Sequence, residues 1–114
     1  MTTKQNPFII LTRAQLGSVT FAQDYLQLDF DGYIVTCYKW PIITTLNGIF
    51  DINNREYRNE LCSLIAKEVS NTIFIDNETL DINFDPGEQI KFHLKDTNGY
   101  VIYFTTPGGE LSSI

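Results

Sequence analysis

His93 is the single imidazole of the chain, so any histidine-based acid–base chemistry must use it. A general base needs an orienting partner and a reacting group nearby. Alternation through Ile90, Phe92 and Leu94 turns His93 outward with Lys91 and Lys95. A hairpin across Asp85-Pro86-Gly87-Glu88 then brings Asp81 opposite either His93 or Lys91. One reading is a carboxylate–imidazole pair serving a small hydrolase or isomerase. The favoured one is a cross-strand charge pair on a solvent face, worth roughly 0.2–1 kcal/mol. No serine or cysteine nucleophile stands beside His93 in any local motif, and no catalytic residue is assigned.

Other reactive groups are sparse. Cys37 falls in a predicted strand and Cys62 in a predicted helix, without Cys-x-x-Cys spacing. A disulfide or redox pair is one reading; two reduced thiols packed as small hydrophobes are the favoured one. One histidine and two distant cysteines do not make a zinc site. Asp76, Glu78, Asp81 and Asp85 could be read as a calcium loop, but the EF-hand ligand order and its central glycine are missing. No phosphate loop or dinucleotide fingerprint appears, so neither metal nor cofactor is expected.

Charge is the more informative feature. The chain has 114 residues, 14 Asp+Glu against 8 Lys+Arg, and a net charge of −6. A surface of that sign repels nucleic acid and anionic membranes and suits a basic partner. The excess is uneven. Between Glu68 and Glu88 there are six acids and no Lys or Arg, and Ala14–Tyr38 holds Asp24, Asp29 and Asp31 with no basic residue. If the two segments share a face, their fields add and mark a docking surface for a cationic protein. Otherwise they serve solubility.

The elements that must carry these residues read as an α+β domain. Hydrophobic residues make up 43% and charged residues 19%, which suits one packed core at this length. Leu26, Leu28 and Phe30 alternate with Tyr25, Gln27 and Asp29, and Asp31-Gly32 suits a type I′ turn. A two-residue loop pairs Phe30 with Tyr33, Leu28 with Val35 and Leu26 with Cys37, so the apolar faces agree. Gly17–Ala22 forms a further strand, and Pro41 limits the third. Thr44–Asn53 reads as a loop or a short crossing strand. Asn53-Asn54-Arg55-Glu56 resembles a capping box, and Tyr57, Leu61, Leu64 and Ile65 form a helical stripe over about 54–67.

Strands then follow at Ile73–Ile75, Leu80–Phe84, Ile90–Leu94 and Tyr100–Thr105. Parity requires an odd loop between the second and third of these. A three-residue loop, Thr97-Asn98-Gly99, would pair Leu94 with Ile102 and Phe92 with Phe104. The expectation is a mainly antiparallel sheet of six to seven strands with one amphipathic helix on one face. Residues 1–114 form a single domain, with the core at about 17–105 and flexible ends at 1–7 and 107–114. The longest apolar runs are four residues, too short to span a bilayer, and Met1–Pro7 lacks the features of a secretory signal, which predicts a cytoplasmic protein.

On the outer face of the first hairpin Tyr25 and Tyr38 lie across from one another, near Trp40. They are either covered by another element or exposed as anchors beside acidic groups. The binding residues expected are Tyr25, Asp29, Asp31, Tyr38, Trp40, Asp76, Glu78, Asp81 and Asp85. The run from Val19 through Tyr25-Leu-Gln-Leu-x-Phe30-Asp-Gly32, with Trp40-Pro41, the helix Tyr57–Val69 and Leu80-x-Ile-x-Phe84, resembles small bacterial cytoplasmic proteins. Some of these are immunity proteins of polymorphic or contact-dependent toxin systems. That resemblance implies a non-enzymatic protein that binds and blocks a toxin domain, often a basic nuclease. A homo-oligomer such as a homodimer, in which a strand edge or the Tyr25/Tyr38 face pairs with a second copy, is the remaining expectation.

Overall fold

Across the residues described by the computed structural model (6–95, 101–109 and 111–113), the Asp31-Gly32 hairpin forms in the expected register. Strands β1 (Leu16–Phe21), β2 (Leu26–Phe30) and β3 (Tyr33–Cys37) lie side by side, and Leu26, Leu28 and Phe30 face Cys37, Val35 and Tyr33. Asp31 and Gly32 both take positive φ, 55° and 96°, as a type I′ turn requires. The Asp29 carboxylate accepts from the Gly32 amide at 2.7 Å. A Cβ at Gly32 would stand 3.3 Å from Pro107 Cγ, a second reason for glycine there.

The expected α+β class holds: the strands are antiparallel and the one α-helix is short. The described residues contain ten strands rather than six to seven, arranged in two sheets. The first runs β1-β2-β3-β9-β10, where β9 is Ile102–Thr105 and β10 is Leu111–Ser113. The second runs β5-β4-β8-β7-β6, from β4 (Ile42–Thr45), β5 (Gly48–Phe50), β6 (Val69–Ile75), β7 (Thr79–Phe84) and β8 (Gln89–His93). The stretch Thr44–Asn53 lies largely in the β4–β5 hairpin. The β7–β8 loop has the odd length that parity demands, because Asn83 pairs with Gln89.

Three expectations are corrected. First, Tyr100–Thr105 does not pair with β8, whose two edges are taken by β4 and β7. Instead β9 joins β3, with Val35 opposite Phe104 and Cys37 opposite Ile102. Any strand of the same alternation satisfies that parity, so parity alone could not choose the partner. The proposed loop Thr97–Gly99 lies outside the described residues.

Second, the helix α1 covers only Tyr57–Cys62, and no capping box forms. Asn54 Oδ1 accepts from the Asp51 amide and Asp51 Oδ1 from the Asn53 amide, so these polar groups build a turn instead. Beyond Cys62 the chain tightens into bonds three residues apart and ends at Ala66, whose φ is 77°. Tyr57, Leu61 and Leu64 are buried, but Ile65 falls after the helix and is exposed. The helix packs on β1 and on β4, so it bridges the two sheets and does not cover one face.

Third, the core begins before Gly17. A 3₁₀ turn, Pro7–Leu11, buries Phe8 and Leu11 completely. Asn6 accepts from the Phe8 amide and donates to Thr72 Oγ1, both at 2.9 Å. The Phe8 ring sits 5.8 Å from Phe74 of one sheet and 5.0 Å from Phe104 of the other. It closes the gap between them. Of the ends expected to be flexible, residues 1–5, 110 and 114 lie outside the described residues, while Leu111–Ser113 pairs with β9. No helix of the described residues is long and apolar enough to cross a membrane.

Phe8→Ala should therefore lower stability by about 3–5 kcal/mol in urea unfolding, as for a core aromatic. The cysteines yield a second expectation. Both are free; Cys62 is exposed, whereas burial pushes the Cys37 thiol from 9.0 up to about 12. The folded state thus holds the Cys37 proton after the unfolded chain has released it. This contribution is complete below pH 9 and is lost as pH rises toward 12. Unfolding measured from pH 8 to 11 should show stability falling by up to about 1.4 kcal/mol per pH unit from this group, and Cys37→Ala should flatten the decline.

Candidate functional site

Alternation along the first sheet sends Leu26, Leu28, Val35, Cys37, Ile102 and Phe104 into the core. It leaves Gln27, Thr36 and Tyr103 in one row on the outer face, paired Gln27 to Thr36 to Tyr103. Tyr25 and Tyr38 stand one residue beyond β2 and β3, where the Tyr38 amide still donates to Val101 O at 2.9 Å. Their rings approach to 6.2 Å, and Tyr38 meets Tyr103 edge-on at 5.7 Å and 84°. Gln27 Nε2 donates to Thr36 Oγ1 at 3.2 Å, which orients the amide and keeps its oxygen as an acceptor.

Together these side chains line an open groove of about 460 Å³, with Thr105 at its margin. Tyr38 is half exposed. The five strands of this sheet contain one acid, Asp29, and no Lys, Arg or His. The lining of this groove offers ring faces, phenol hydroxyls and an amide to a partner, and none of its residues is cationic, although the exposed Lys39 follows Tyr38 directly.

The residues expected to bind divide into separate groups. Tyr25 and Tyr38 are brought together as anticipated. Trp40 is not with them: the chain is crossing between sheets there, and its half-buried ring stacks on Phe21 at 6.2 Å and meets Tyr57 edge-on at 6.4 Å. Asp29 bonds the Gly32 amide, and Asp31 accepts from the Gln15 amide at 3.0 Å. Asp81 is buried on the outer face of the second sheet beside Lys91, at 3.4 Å. Asp76 and Glu78 are exposed at the β6–β7 turn, and Asp85 is exposed at the opposite end of β7.

The two acid-rich segments consequently lie in different sheets and do not form one face. They approach at one end, where Phe30 stacks on Phe84 at 6.4 Å and the turns carrying Asp31 and Asp85 follow directly. Even within Glu68–Glu88 part of the charge is answered. Glu88 is buried and its Oε2 lies 2.8 Å from Lys67 Nζ, and Asp81 pairs with Lys91.

Of the two partners left open for Asp81, the structure takes Lys91, which gives the favoured cross-strand charge pair. His93 is exposed and sits opposite Thr79, while Lys91 takes the place opposite Asp81. Among the described residues no cluster of three or more His, Cys, Asp or Glu side chains could hold a metal ion. Tyr103 is the residue that sequence reading missed. Its alternation with Ile102 and Phe104 already marked it as outward-facing, but the wrong strand partner hid its neighbours. No family model, no curated protein and no solved structure matches the chain.

Lys67→Met would leave the buried Glu88 carboxylate without its counter-charge. We expect a loss of about 2–4 kcal/mol in chemical denaturation, somewhat under the value for a wholly buried pair because Lys67 is 34% exposed. Glu78→Gln, at an exposed turn, should stay within about 0.5 kcal/mol of the parent.

Proposed function

We propose that the protein is a non-enzymatic binding protein of the immunity type, acting in the cytoplasm on a basic, nuclease-type toxin domain. The observation that carries this reading is the tyrosine groove on a sheet whose strands contain no basic residue. Tyrosine supplies large, rigid contact area with a polar tip at small entropic cost, which is why it recurs at interface hot spots. The net charge of −6 supports it. A nuclease must carry Lys and Arg around its cleft to attract a polyanion, and an acidic inhibitor exploits the same field for rapid association.

In this reading Tyr25, Tyr38 and Tyr103 make the central contacts. Asp29 and Asp31 lie on the same sheet and on the turn beside it, and steer from the rim. Asp76, Glu78 and Asp85 contribute at longer range, and Asp81 is held by Lys91 within the second sheet. Trp40 supports Phe21 and the helix from beneath.

Binding to the product of the adjacent upstream gene, measured by calorimetry at low and high salt, tests the proposal. The expected result is a one-to-one complex that weakens as salt rises, with Tyr38→Ala costing at least about 2 kcal/mol. Absence of binding, or an affinity indifferent to salt, would sink it.

A further inference from the structure

We infer that the groove between Tyr25, Tyr38 and Tyr103 is a seat for an arginine side chain of the partner, an inference that rests on the basic-partner reading above. Aromatic rings present negative faces, and a cation placed over them is attracted. Here the edge-on contact of Tyr38 with Tyr103, at 84°, sets two ring planes almost at right angles in the lining of the groove. Tyr25, tilted by 59° against Tyr38, adds a third ring to that lining.

The polar groups suit the same guest. A guanidinium carries five N–H donors and needs acceptors at its edge. The Gln27 amide, anchored through its nitrogen on Thr36, keeps its oxygen for that role, and Thr105 stands at the margin with a hydroxyl. Guanidinium also stacks on rings and is less strongly hydrated than an ammonium, so arginine fits better than lysine. The chain uses this contact internally as well: Arg58 lies over the Phe21 ring at 5.7 Å.

Charge decides against other occupants. A second copy of the chain brings a net charge of −6 toward a sheet whose only strand charge is Asp29. A carboxylate or phosphate guest would find no positive partner in those five strands. An arginine meets neither obstacle.

The test is a titration with Nα-acetyl-L-arginine methylamide against its neutral isostere, Nα-acetyl-L-citrulline methylamide, followed by the tyrosine ring signals in carbon-edited NMR. The arginine probe should give saturable shifts at Tyr25, Tyr38 and Tyr103, and the citrulline probe should bind at least about threefold more weakly. Tyr38→Ala should abolish the arginine response and Tyr38→Phe should retain most of it, while Ile75→Ser, on the second sheet, leaves it unchanged. Equal responses to the two probes, shifts centred away from these rings, or no saturation would overturn the seat. If the probes fail but the basic toxin domain still binds in a salt-dependent way, the arginine seat falls and the binding reading stands. If the arginine probe binds as expected but the toxin domain does not, the seat is supported and the basic-toxin reading falls.

Discussion

Each of the two sheets has one apolar face, and the faces can be removed from water only by covering one another. That mutual burial organises the rest of the molecule. Leu26, Leu28, Phe30, Val35 and Phe104 from one sheet join Ile43, Leu80, Ile82, Phe84 and Ile90 from the other in a single cluster. At one end Phe30 stacks on Phe84, and at the margin Phe8 touches Phe74 and Phe104 together. The helix bridges β1 and β4, and the Arg13 amide donates to Val69 O while the Val69 amide donates to Ala14 O, which ties the start of β6 to the chain ahead of β1. The element that the alternation pattern treats as the cover of a sheet is therefore a strut between two sheets.

Once the inner faces are spent on the core, the outer faces are free to differ. The second sheet sets Asp81 against Lys91 and leaves Ile73 and Ile75 half exposed. The first is aromatic and carries no cation in its strands. The acidic excess acts mostly elsewhere: Asp29 and Asp31 serve turn and strand amides, and Glu88 answers Lys67. Charge thus sets the long-range field of the protein, while the tyrosines gather in one groove on the outer face of the first sheet.

Much of the local structure was legible in the chain. The Asp31-Gly32 turn forces a register that agrees with the alternation on both sides, so two independent constraints point to one hairpin. The odd β7–β8 loop followed from parity in the same way. The helix stripe was readable through Leu64 but overran, because the polar groups at 51–54 bond one another and the left-handed Ala66 stops the chain. Half of the candidate site was visible: Tyr25 and Tyr38 follow from the hairpin, whereas Tyr103 depends on a strand from the far end of the sequence.

What the sequence determined by itself was which side chains of a strand share a face, where the tightest turn lies and how much net charge the chain carries. These are properties of neighbours along the chain, set by the two-residue period of a strand and by which residues accept positive φ. Only the tertiary structure decided that β9 leaves β8 and joins β3, that the acid-rich segments occupy different sheets, and that Tyr103 completes a groove with Tyr25 and Tyr38. Alternation tells a strand which face to bury but not which partner to take. That choice is made by the whole core, in which the two apolar faces cover one another.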